Sequence, residues 1–200
     1  NPYTEEEVSG NTITDSKGIY LNSGTIAGDV TWDQDDVYVI STTGYGSYSI
    51  AVAYGATLTI PPGKVLKFAK CHSGMWGYYS AGLDIRGSLI AEGTLETPIV
   101  FTSLLDDSYG GDTNGDGDAT SPDKGDWTGL KFTDASGESI LDHVVLRYAR
   151  YPIKSESSNL TLTNCTITDN SSTAISLQDS SSATITGSII SDNGGNGITV

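Results

Sequence analysis

Basic residues are scarce in this chain. Ten Lys plus Arg stand against 25 Asp plus Glu, a formal net charge of −15. Affinity for a phosphate backbone comes from basic groups that displace counterions, so no nucleic-acid partner is expected and cations are the favoured partners. Cysteine is nearly absent: Cys71 and Cys165 are the only two, too few for the disulfide framework that replaces a core in small secreted domains. No apolar run reaches the length of a membrane span, and no signal peptide heads the chain, which begins abruptly at Asn1. Blocks of helix formers are missing as well. Met occurs once, Ala, Glu, Lys and Leu do not cluster, and Gly reaches 24 residues among plentiful Ser, Thr, Asn and Asp, which points to short strands and turns. With hydrophobic residues at 36%, there is apolar material for a long, thin core.

What is present is a repeat. Residues 159–177 align with 182–200 without gaps, with identities at Thr161 and Thr184, Thr163 and Thr186, Ile167 and Ile190, Asp169 and Asp192, Asn170 and Asn193, and Ile175 and Ile198. One unit earlier Leu141, Leu146 and Ile153 precede Leu162, Ile167 and the Ala174–Ile175 pair, with Ala149 at the place of Asn170. A unit of this length, built from short alternating runs, cannot close a core alone; stacked on its neighbours it buries a continuous one. The expectation is an all-β solenoid. Asn170 and Asn193 suit a stacked amide ladder at a turn, because an amide both donates and accepts along the column. Three or four coils would separate Cys71 from Cys165, and at roughly 4.8 Å per coil that exceeds the roughly 7 Å Cα limit for a disulfide, so both are expected as free thiols.

Upstream the alternation recurs at Leu58 and Ile60, Val65, Leu66 and Phe68, Leu83, Ile85 and Leu89, Ile99 and Phe101, and Leu130 and Phe132. Loops at 70–80 and 104–126 interrupt it. Residues 1–50 lack a clear repeat and are expected to form an N-terminal cap or irregular first coil, with coils over 51–200. The last strand of a repeat is still running at Val200, as in a piece of a longer solenoid or one covered by another chain.

The second loop carries the chemistry. Asp112, Asn114, Asp116 and Gly117 spell D-x-N-x-D-G, the opening of an EF-hand-type calcium loop, in which alternate side chains turn inward and Gly permits the sharp bend. Asp118 takes the seventh position, where a backbone carbonyl ligates, and Asp123 the twelfth, where an Asp is one methylene shorter than the usual Glu; Asp106, Asp107 and Asp126 are further candidate ligands. So many carboxylates repel one another without a cation, and calcium is the expected cofactor. Flanking helices are not evident, so the ion is expected to staple a loop, not to drive a helix-opening switch.

Thr102-Ser103, Asp106-Asp107, the run Gly110 to Gly117 and Gly125-Asp126-Trp127, preceded by Gly55 to Ile60 with Pro62-Gly63 and by Gly87 to Phe101, resemble bacterial and archaeal pectin-lyase-like β-helix surface proteins. The calcium loop is similar to those of dockerins and thrombospondin type 3 repeats. Over residues 30–200 the resemblance implies a right-handed parallel β-helix, export to the cell surface or beyond, and calcium; it implies little about activity, because the fold hosts lyases, hydrolases, adhesins and stalks.

Two functional classes are then expected to compete. A calcium-dependent lyase of acidic polysaccharides needs a basic residue to take the proton α to a uronate carboxylate, and Lys131, Arg147 and Arg150 are the candidates. A hydrolase wants two carboxylates across a cleft, for which Asp84 and Asp142 are available; His72 and His143 stand alone. A binding or adhesive module would instead use exposed aromatics against the sugar rings of a polysaccharide or cell-surface glycan: Trp76, Tyr78, Tyr79, Tyr148 and Tyr151. Trp127, where the chain re-enters the stack, reads as a structural plug. The expectation adopted is the non-catalytic domain, serving display, adhesion or glycan binding.

Overall fold

The computed structural model describes residues 18–41, 48–70, 72–74, 77–79 and 81–200, with backbone alone over 72–74 and 77–79. Among them no helix forms, and apart from one two-stranded hairpin the strands gather into three parallel sheets. Sheet 1 contains Ile19–Leu21, Tyr38–Ile40, Val65–Phe68, Ile99–Ser103, Val144–Arg147, Thr166–Thr168 and Ile189–Ser191. Sheet 2 contains Gly24–Ile26, Ile50–Val52, Gly82–Ile85, Gly129–Thr133, Ile153–Glu156, Ile175–Gln178 and Ile198–Thr199. Sheet 3 contains Val30–Thr31, Thr57–Ile60, Ser88–Glu92, Ser139–Asp142, Asn159–Thr163 and Ser182–Thr186. The chain visits the sheets in that order, coil after coil, and each strand pairs with its equivalents in the coils before and after. This is a parallel β-helix.

Register follows the sequence repeat. Thr161 lies opposite Thr184, Ile167 opposite Ile190 and Ile175 opposite Ile198; one coil back, Leu141, Leu146 and Ile153 lie opposite Leu162, Ile167 and Ile175. Alternate side chains therefore point inward at the same place in each coil, and Ile60, Ala91, Leu141 and Leu162 form one fully buried column. Strands of the expected N-terminal cap or irregular first coil, Ile19–Leu21 through Tyr38–Ile40, pair in all three sheets like the later ones. Too short to show alternation, they carry no legible repeat.

The corners explain the composition. Asp134 and Ser157 between sheets 2 and 3, His143 and Asn164 between sheets 3 and 1, and Tyr148, Asp169 and Asp192 after sheet 1 all have left-handed backbone, a conformation that Asn, Asp and Gly adopt at least cost. At the corner after sheet 1 the expected amide ladder is present. Asn170 is fully buried; its Oδ1 accepts from the Ala149 amide at 2.7 Å, and its Nδ2 donates to Thr168 O at 2.9 Å and to Asn193 Oδ1 at 2.9 Å. The Asn193 amide in turn donates to Ile167 O at 2.9 Å. At Ala149 the column turns apolar and meets Trp127 by a parallel bridge. Trp127 is buried, stacks on Phe68 with 4.0 Å between centroids, and donates from Nε1 to Arg147 O at 2.8 Å. Cys165 is buried as a free thiol at the corner before sheet 1; Cys71 lies outside the described residues.

Both loops read as interruptions leave from one corner, between a strand of sheet 1 and the next strand of sheet 2. The first holds a two-stranded antiparallel hairpin, His72–Gly74 with Gly77–Tyr79. The second, 104–126, folds back as a strap. Gly110 lies so close to Val37, Val65 and Lys67 that a Cβ there would meet Val37 Cγ2 at 2.6 Å. Thr113 is reached by the Tyr20 hydroxyl, which donates to its carbonyl at 3.3 Å. At the strap's end, Asp126 pairs with Lys70 at 2.9 Å, the Gly125 amide donates to Tyr148 O at 3.0 Å, and Lys124 donates to Asp192 O. One loop thus touches coils from Tyr20 to Asp192. It roofs part of the outer face of sheet 1, where Lys67 lies opposite Val39 and Thr102 and all three are buried.

Candidate functional site

The strap is shaped by its own acids. Asp112 Oδ1 accepts from the Gly115 amide at 2.7 Å and the Asp116 amide at 3.1 Å, while Oδ2 accepts from Gly117 at 2.9 Å. Gly117 has φ +64°, so the bend expected of the D-x-N-x-D-G run is made where the Gly stands. Asn114 Nδ2 donates to Asp116 Oδ2 at 2.9 Å. Further back, Asp106 is committed to starting the loop, accepting from Thr102 Oγ1 at 2.5 Å and from the Ser108 amide and hydroxyl. Asp126 is committed to ending it, accepting from Ser103 Oγ at 2.8 Å and the Asp123 amide at 3.0 Å besides its Lys70 pair.

Three carboxylates converge within 4.8 Å: Asp107, Asp112 and Asp116. Asp107 Oδ1 and Asp116 Oδ1 are buried with no hydrogen-bond donor among the described residues. Oxygens so placed are costly unless a cation meets them, and hard oxygen donors suit a hard divalent ion. Burial raises the Asp107 pKa above the ordinary carboxylate range; Lys67 opposes that shift, and Asp112, Asp116 and Asp106 add to it by like-charge repulsion. The carboxylates of Asp118 and Asp123 are not among these three. Asp118 lines an open pocket of about 360 Å³ with Asp106, Asp107, Thr120, Arg147 and Tyr148, and Asp123 accepts from the Lys124 amide at 2.8 Å. The strap closes its acid group through Asp107, which approaches from its first turn. Asn114 stays bonded to Asp116 and Thr120.

Reading of the sequence missed Lys67. Its side chain is 0% exposed, and its ammonium donates to Gly111 O beneath the strap. Burial lowers its pKa, and the charges of Asp107, Asp106 and Asp112 counteract that. A Lys among Val65, Leu66 and Phe68 was the available signal.

The candidate bases separate. Arg147 faces the strap, with its guanidinium 4.4 Å from the centre of the Tyr148 ring and within 3.8 Å of Asp106 and 3.9 Å of Asp169. Lys131 lies on the outer face of sheet 2, bound to Glu156 at 2.9 Å, and Glu156 also holds Lys154 at 2.6 Å. Arg150 stacks over Tyr151 at 5.2 Å. Asp84 and Asp142 belong to different sheets. Asp84 is held by Arg86 at 2.8 Å, and Asp142 Oδ1 lies 2.8 Å from His143 Nδ1. His72 sits in the hairpin.

Aromatics divide likewise. Tyr148 packs under Arg147, whereas Tyr151 is 41% exposed and lines an open groove of about 400 Å³ with Ile153, Lys154, Ser172, Thr173, Ser176 and Gln178. Trp76 lies outside the described residues, and the side chains of Tyr78 and Tyr79 are not among those described.

Glu156 makes a measurable contribution. Hydrogen bonds from Lys154 and Lys131 hold its carboxyl below the usual value. A carboxylate with a depressed folded pKa stabilises above its unfolded value of about 4.3 and loses that contribution as pH falls through the folded value. Glu156→Gln is expected to cost about 1 kcal/mol at neutral pH and nothing at low pH, read from chemical denaturation across acid pH; equal losses at both would contradict the assignment.

No helix of the described residues is long and apolar enough to cross a membrane. No curated protein and no solved structure matches the chain. Residues 3–200 match the family described as right handed beta helix region, and with three all-parallel sheets wound about one continuous core the chain belongs to that family.

Proposed function

We propose that the chain is a non-catalytic, calcium-stabilised β-helix domain of an exported protein, which offers a rigid surface for display, adhesion or glycan binding. One observation carries the reading: the acidic strap ties coils from Tyr20 to Asp192 while drawing Asp107, Asp112 and Asp116 together. Calcium there would neutralise the cluster and fasten the strap across the stack. The grooved face of sheet 2 supports the binding half of the proposal. Tyr151 supplies a ring for sugar stacking, Lys154 and Ser176 lie opposite each other in successive coils, and with Gln178 they supply partners for sugar hydroxyls.

The lyase reading has less support. Lys131 lies on sheet 2 and is held by Glu156, Arg150 stacks over Tyr151, and Arg147 is engaged by Tyr148, Asp106 and Asp169. Incubation with polygalacturonate and related uronates, with and without calcium, is expected to give no rise in absorbance from unsaturated product. On a glycan array, Tyr151→Ala is expected to weaken any retained glycan by about tenfold, a loss of roughly 1–2 kcal/mol of stacking. Robust product formation, or full binding by Tyr151→Ala, would overturn these respective halves.

A further inference from the structure

We propose that Lys67 is the resident counter-cation of the strap, holding it closed on sheet 1 without metal, so that a divalent ion fastens a loop already in place. The placement is unusual for the residue. A lysine on the outer face of a solenoid sheet ordinarily reaches water, yet Lys67 is wholly buried with its ammonium on Gly111 O. The strap that supplies Gly111 also carries Asp106, Asp107 and Asp112, whose charges favour the ammonium from beyond direct ion-pair contact. An isolated buried ammonium is costly enough that its partners must be in position, and those partners all belong to the strap. Opening the strap would uncover both the ammonium and the acids, so each holds the other.

Two neighbours repeat the device. Lys64 donates to Asp33 O at 2.8 Å and Gln34 O at 3.0 Å and pairs with Asp35 at 3.1 Å, capping the acidic turn 33–36. Lys70 pairs with Asp126 at the strap's far end. Lysines at three-residue spacing thus anchor acidic loops along this strand. Three carboxylates against one ammonium still leave the cluster negative, so the proposal is compatible with the calcium reading on which its last clause rests.

Limited proteolysis tests it, with cleavage after Tyr109 by chymotrypsin and after Lys124 by trypsin as the readout. The wild type is expected to resist cleavage already in chelator, with calcium adding protection to it. Lys67→Met is expected to be cut on the order of tenfold faster in chelator and to regain protection in calcium. Lys67→Gln, which keeps a donor for Gly111 O but not the charge, should behave like Lys67→Met and carries the test if the apolar variant does not fold. Slow cleavage of both variants in chelator would overturn the proposal, as would a wild type protected only by calcium. Fast cleavage of the variants in both conditions would sustain the role of Lys67 and count against calcium instead.

Discussion

Replacing Trp127 by Ala is expected to cost about 3–5 kcal/mol, lowering the melting temperature by on the order of 10 °C for a chain of this size. The indole is fully buried where the strap re-enters the stack, stacked at 8° on Phe68 from the preceding coil and hydrogen-bonded to Arg147 O in the next. Truncation would leave a cavity between coils and an unmet carbonyl. In a solenoid each coil is stabilised mainly by its neighbours, so the loss falls on the interface that carries the strap. Trp127→Phe should recover most of the packing but not the hydrogen bond, a residual loss of about 1 kcal/mol. Differential scanning calorimetry of both variants checks this; a Trp127→Ala shift of only a degree or two would contradict the role assigned to the indole.

Asn170→Asp should be nearly as damaging, and in a pH-dependent way. The native Nδ2 donates to Thr168 O and Asn193 Oδ1, so an aspartate would set a buried carboxylate against acceptors that now receive protons. Burial without a cation raises the pKa of such a carboxyl in the folded state. With the folded value above the unfolded one, the folded chain binds the proton more readily, and the penalty grows as pH rises from the unfolded to the folded value. About 3 kcal/mol of destabilisation is expected at neutral pH, shrinking toward pH 4. Denaturation midpoints at the two pH values decide it; a loss independent of pH would mean that the amide acts by shape alone.

The sequence was most legible where turns are short. From Leu141 onward corners are closed by a few residues, with left-handed backbone at His143, Tyr148, Ser157, Asn164, Asp169 and Asp192, so the spacing survives and the register pairs are those of the repeat. Upstream the corner after sheet 1 receives the 69–81 and 104–128 connections, which break the period though the strands still stack. In the strap, the bend at Asp112 to Gly117 was readable because it depends on local hydrogen bonds. Its closure through Asp107, and the lysine beneath, depend on where the loop lies down, which spacing along the chain does not encode. The paired state of Lys131 was hidden for the same reason: Glu156 is its neighbour only through the register of sheet 2.

The most direct test of the account is calcium content and thermal stability measured on the same preparation. After dialysis against trace calcium, elemental analysis should find about one ion per chain, and saturating calcium at about 100 times Kd should add roughly 2.7 kcal/mol of stability over the chelated protein. The variant Asp107→Asn/Asp112→Asn/Asp116→Asn should lose both the ion and the shift. Absence of bound calcium together with an unchanged melting temperature on chelation would contradict the calcium strap.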